Sequence, residues 1–134
     1  MRQLTIIIAL FITIIITACD YTKFFDDKKI IDLTTVDFIE IRNTYRQENF
    51  NHTEIKRLTN EQAEVFIDKW NNAKPKGPCK YAYIFSINVT FKDGTKRTFI
   101  INGKSIKESS DNCFDLGDNN YAETLWNLAE KIDE

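Results

Sequence analysis

The spacing of apolar residues changes along this 134-residue chain, and each change marks an element. Ala63, Phe66, Ile67 and Trp70 recur at i, i+3, i+4 and i+7, which predicts a helix over 59–74. Thr59 stands where it can cap that helix, and Gln62, three residues on, completes a capping box. Pro75-Lys76-Gly77-Pro78 then stops it. From Tyr81 to Phe91 the period is two. Tyr81, Tyr83, Phe85, Ile87, Val89 and Phe91 fall on one face, with Lys80, Ala82, Ile84, Ser86, Asn88 and Thr90 on the other. Asp93-Gly94 signals a hairpin, and Arg97 to Asn102 returns with Phe99 and Ile101 on one face. Asn102-Gly103 makes a second turn into a short strand over 104–107, and 113–116 reads as a further short strand or extended lead-in. Asn119 or Asn120 caps a final helix whose stripe is Tyr121, Ala122, Leu125, Leu128, Ala129 and Ile132.

Upstream, Val36 to Arg42 reads as a strand with imperfect alternation, and His52 to Leu58 as an edge strand of a hairpin. The order is ββαβββα, with short turns between strands. It predicts an α+β fold: a two-layer sandwich of a mostly antiparallel sheet of four to five strands and two amphipathic helices. The aromatic face of the 81–91 strand is the surface expected to receive the helical stripes.

A different pattern opens the chain. Leu4 to Ile16 is apolar except for Thr5 and Thr13, and it follows Arg2. A spanning helix needs roughly 20 apolar residues. A shorter run behind one base, ending in small residues, has the shape of a secretory signal. The run ends in Ile16-Thr17-Ala18-Cys19, which resembles the lipobox of bacterial lipoproteins. Ile16 in place of leucine and Thr17 in place of alanine or serine depart from the strongest form of that motif. The resemblance implies that Cys19 is thioether-linked to diacylglycerol and that the chain is cut between Ala18 and Cys19. The new amino group is then open to acylation, for instance by palmitate. Two or three acyl chains anchor stably where one is marginal. An ordinary cleaved signal, or an uncleaved anchor, accounts for the same apolar run without using Cys19.

The organisation expected is a signal peptide over 1–18, a lipid-anchored tether over 19–29 and a single α+β domain over 30–134. The location expected is the bacterial cell envelope, on the periplasmic or surface side. The formal charge is −2, and it becomes −3 once Arg2, the only charged residue of 1–18, is removed. Weak acidity with dispersed bases argues against a nucleic-acid partner. The plentiful aromatics fit a packed domain.

An envelope location permits disulfides. Cys79 and Cys113 each sit near the end of a predicted strand. A bridge between them would stabilise by roughly 3–4 kcal/mol through loop closure; two buried free thiols are the alternative. No Cys-x-x-Cys spacing points to redox chemistry. His52, the single histidine, cannot complete a zinc ligand set. No nucleophile elbow, P-loop or dinucleotide fingerprint is present. Asp111, Asp115 and Asp118, with Asn112, Asn119 and Asn120, gather oxygen ligands in one stretch. Their spacing is not that of an EF-hand, and turn formation and helix capping account for them. Tyr81 and Tyr83, beside the Pro75–Pro78 stretch, are candidates for the rim of an apolar or glycan site.

These residues lead to a lipid-anchored envelope protein that uses no metal or cofactor and acts as a non-enzymatic binding or interaction module. Its partners would be the membrane, through the N-terminal anchor, and a protein or small ligand. An inhibitor or immunity-type protein acting on an envelope enzyme or toxin is one alternative. A structural or assembly lipoprotein of an envelope complex is another. Nothing after Cys19 marks a specific family.

Overall fold

The structure, a computed structural model, describes residues 28–43, 54–80, 84–108 and 112–132. A 3-10 turn, Leu33–Thr35, leads into β1 (Val36–Asn43). Then come β2 (Ile55–Arg57), α1 (Asn60–Asn72), β3 (Lys74–Pro78), β4 (Phe85–Phe91) and β5 (Lys96–Asn102). The chain closes with β6 (Ser105–Lys107), β7 (Asn112–Asp115), α2 (Tyr121–Leu128) and β8 (Glu130–Lys131). The strands form one sheet in the order β3-β7-β6-β5-β4-β1-β2-β8. Every neighbouring pair is antiparallel. The fold is α+β, with two helices and an antiparallel sheet.

The sheet has eight strands, not four or five, and the element order differs from ββαβββα accordingly. The Pro75–Pro78 stretch, read from sequence as a helix stop, stops α1 and also pairs with β7. Proline is tolerated there because β3 is an edge strand, with no ladder partner on its outer side among the described residues. The register shifts between Pro75 and Gly77, where Gly77 takes φ +101°. At the other edge, the helix expected to run to Ile132 ends at Leu128, while Ala129 still packs into the core. Residues 130–131 become β8 and pair with Lys56 and Arg57 of β2. Leu128, expected in the buried stripe, is 62% exposed, and Trp126 takes the inward position, 5.7 Å from the Phe85 ring.

The strand pairs fix which side chains share a face. Ile41 lies opposite Ile87, Ile87 opposite Phe99, and Ile106 opposite Phe114. With Ile39, Phe85, Val89 and Ile101, these build a fully apolar face. Helix α1 lays Phe66 and Trp70 across it. The Phe66–Phe99, Trp70–Phe99 and Trp70–Phe114 rings meet edge-on at 5.9, 4.8 and 5.2 Å. Both helices therefore cover one side of the sheet. The other side is polar: Arg57 pairs with Glu40 at 3.2 Å, and the Thr98 hydroxyl donates to Asn88 Oδ1 at 2.8 Å. The imperfect alternation of β1 has a local cause. Its ladder with β4 shifts register between Val36 and Phe38. Ile39 and Ile41 then enter the core, while Phe38 lies on the open face, 4.2 Å from the Arg57 guanidinium.

The thirteen-residue helix α1 begins with the capping box read from sequence. Thr59 Oγ1 accepts from the Gln62 N–H, and Gln62 Oε1 accepts from the Thr59 N–H. Neither helix ends in a glycine cap. Their terminal carbonyls are taken by side chains from distant parts of the chain. Lys28 Nζ donates to the Asn71 and Ala73 carbonyls at 2.8 Å each. Lys56 Nζ, on β2, donates to the Trp126 carbonyl at 2.9 Å, and Gln62 Nε2 donates to that of Leu128 at 3.0 Å. A cation at a helix C-terminus also meets the negative end of the macrodipole.

Residues 28 and 29, expected at the end of the tether, contact the domain. Lys28 and Lys29 are docked as part of a strap that ends with Ile31 in the core. Trp70 Nε1 donates to the Lys29 carbonyl at 2.9 Å. Arg97 donates to the Lys29 and Ile30 carbonyls while holding Glu108 with two contacts of 2.7 and 2.8 Å. Partial burial between the Trp70 and Phe114 rings pushes the Lys28 ammonium below its ordinary pKa.

Candidate binding site

Ala73 is extended (φ −61°, ψ 137°), so the chain passes from the last turn of α1 into β3 within one residue. This leaves a cleft between the end of α1, the start of β3, the β5–β6 turn and the turn after β7. Its volume is about 570 Å³. Four lysines line it: Lys69 from α1, Lys74 and Lys76 from β3, and Lys104 from the β5–β6 turn. Two carboxylates share it, Asp68 and Asp115.

The partners of these groups decide what the cleft can hold. Asp115 accepts from the Gly117 N–H at 2.7 Å and pairs with Lys104 at 3.2 Å; the backbone bond first, then Lys104, hold its carboxyl below the usual range. Asp68 accepts from Asn72 Nδ2 at 2.9 Å. Lys76 donates to Ser105 Oγ at 2.9 Å, and the Lys69 ammonium stands 5.0 Å from the centre of the Tyr121 ring. Lys74 is exposed and has no ion-pair partner among the described residues. The four ammonium groups exceed the two carboxylates, and both carboxylates are already engaged. The arrangement attracts an anion and has donors left to bind one.

The turn beside the cleft is tightly specified. Gly103 adopts φ +55°, and a Cβ there would approach the Asn119 carbonyl oxygen to 2.9 Å. The stretch expected as an oxygen-rich cluster does turn and cap work here. Asp115 closes the turn to Gly117, and Asp118 Oδ1 accepts from the Asn120 N–H at 3.0 Å. Asn120 is the N-cap of α2 but makes no side-chain cap bond; the preceding Asp118 organises that end. Among the described residues, no group of three His, Cys, Asp or Glu side chains is placed to hold a metal ion.

Cys79 and Cys113 are joined, with their Cα atoms 5.8 Å apart, inside the range a disulfide spans. Cys113 on β7 lies opposite Gly77 of β3, and its neighbour Phe114 points into the core. Successive strand residues face opposite ways, so the bridge lies on the side of the sheet away from the helices. Cys19, His52, Tyr81, Tyr83 and Asp111 lie outside the described residues. The lysine cleft was not foreseen from the sequence. Lys74 and Lys76, alternating on either side of Pro75, were its one visible sign.

The chain matches no known family model, no characterised protein and no solved structure. Among the described residues no helix is long and apolar enough to cross a membrane.

Proposed function

We propose that this chain is a lipid-anchored protein of the bacterial cell envelope whose folded domain is a non-enzymatic binding module. The observation that carries this reading is the apolar run ending in Ile16-Thr17-Ala18-Cys19, behind Arg2. The Cys79–Cys113 pair supports it independently, because disulfides persist in oxidising compartments such as the envelope. The start of the fold supports it too. Lys28 is already docked, so only residues 20–27 separate the acylated Cys19 from the domain. Fully extended, that length spans roughly 30 Å, which keeps the domain close to the bilayer.

The binding role follows from the cleft. It gathers lysines with carboxylates that are engaged in turns and a helix end, a set suited to holding a ligand rather than to activating a nucleophile. Growing the producing bacterium with an alkyne fatty acid tests the anchor. The wild-type chain takes up label and Cys19→Ala does not. An unlabelled wild type, or label retained in Cys19→Ala, contradicts the proposal.

A further inference from the structure

We infer that the lysine cleft beside β3 docks on anionic phospholipid headgroups of the membrane in which the chain is anchored. The inference rests on the anchor reading above and adds a ligand class and an orientation to it.

Three observations carry it. The first is charge: Lys69, Lys74, Lys76 and Lys104 converge on one depression in a chain whose net charge is negative. Local sign opposes global sign, which a solvated surface has no need to arrange. Asp115 is paired with Lys104, and Asp68 offsets one further charge, so the four ammoniums still exceed the two carboxylates by two. The second is position. Ala73 lines the cleft, and its carbonyl accepts from Lys28, where the strap begins. The anchor therefore enters the domain beside the cleft. A chain of at most roughly 30 Å from Cys19 is short enough for the lysines to reach the headgroup layer. The third is the helix end. The C-terminus of α1 borders the cleft, and its negative dipole would repel an anion. Lys28 covers that end by holding the Asn71 and Ala73 carbonyls.

Lysine stems are long and flexible enough to carry their charges down to a lipid surface. Each basic residue near an anionic leaflet adds attraction that fades within a Debye length. The tether makes docking an intramolecular event, so contacts too weak for a free protein suffice.

The test uses the full acylated chain in vesicles of phosphatidylcholine, with or without phosphatidylglycerol. Lysine acetylation is read residue by residue by mass spectrometry. Lys131 is the internal control, because it lies on β8, at the opposite edge of the eight-stranded sheet from β3. With phosphatidylglycerol present, Lys69, Lys74, Lys76 and Lys104 lose about threefold or more of their reactivity, Lys131 is unchanged, and added salt reverses the protection. The double variant Lys74→Glu/Lys76→Glu, with an unchanged thermal midpoint, loses the protection at Lys69 and Lys104. Equal reactivity in both vesicle types, or protection that survives the double variant, overturns the proposal. So does equal protection by inorganic phosphate over phosphatidylcholine, which would make the cleft a soluble-anion site. The mass of the N-terminal peptide is measured in the same samples. An unmodified Cys19 overturns the anchor reading and this inference together. An acylated Cys19 with lipid-insensitive lysines overturns this inference alone.

Discussion

The side-chain amide of Asn71 brackets the backbone of Ile31. Its Oδ1 accepts from the Ile31 N–H and its Nδ2 donates to the Ile31 carbonyl, each at 2.8 Å. Only an amide can serve both groups at once, as a neighbouring β-strand would. Asn71 lies in the last turn of α1, so this pair ties the chain's entry into the domain to the helix that covers the core. Asn71→Ala leaves two partly buried backbone groups without partners and costs roughly 1–3 kcal/mol, measured by urea unfolding. Asn71→Asp recovers little, because a carboxylate accepts from the N–H but repels the carbonyl. Amide exchange at Ile31 accelerates in both variants. Unchanged stability and exchange in Asn71→Ala would show that the strap is held without it.

Lys56 makes a second long-range cap. It is 9% exposed, donates to the Trp126 carbonyl at 2.9 Å and stands 4.4 Å from the centre of the Trp126 ring. Lys56→Ala removes a charge-assisted bond and the packed stem, for a loss of about 2–3 kcal/mol. Lys56→Met keeps the stem against the indole and loses less. Chemical denaturation of the two variants decides this: a Lys56→Met loss as large as that of Lys56→Ala would mean the stem contributes nothing.

Tyr121 is the opposite case. Its hydroxyl is buried and has no hydrogen-bond partner among the described residues. Desolvation first, and Asp118 second, push its pKa well above the ordinary value of 10. The raised pKa fixes the sign of the pH effect. The neutral phenol is favoured in the fold, so its share of stability is complete below about pH 10 and is lost as pH rises above it. Tyr121→Phe keeps the ring under Lys69, removes the unpaired hydroxyl, and gains up to about 1 kcal/mol at neutral pH. It also flattens the decline in stability above pH 10. A destabilised variant, with the alkaline decline intact, would mean the hydroxyl is bonded.

The bridge between Cys79 and Cys113 closes a separation of 34 residues that contains β4, β5 and β6. Thiol counting under denaturing, non-reducing conditions finds neither cysteine reactive. Reduction lowers unfolding stability by roughly 3–4 kcal/mol. Two reactive thiols in the untreated protein would refute the bridge.

Much of the fold can be read along the chain, and what cannot has physical causes. The capping box of Thr59 and Gln62 places the start of α1 to the residue, because it is a local interaction. The period of two over Phe85–Val89 and at Phe99 and Ile101 places the central strands, because one face is wholly buried. Strand β3 is hidden because Pro75 and Pro78 argue against a strand unless it is known to be an edge. Strand β8 is hidden because Leu128 and Ile132 continue a helical period that pairing with Lys56 and Arg57 interrupts. The cleft is less legible still. Its lysines come from α1, β3 and the β5–β6 turn, and only the sheet order brings those together. The strap is equally opaque, since Lys28 and Lys29 look like solvated tether until Trp70, Asn71 and Arg97 are seen around them.

The central claim is that this domain is held at a membrane through Cys19. Its most direct test is the intact mass of the chain extracted from the membranes of the producing cell. The expected chain begins at Cys19 and carries a diacylglyceryl group on its sulfur. A chain that retains residues 1–18, or one whose Cys19 is a free thiol, would contradict it.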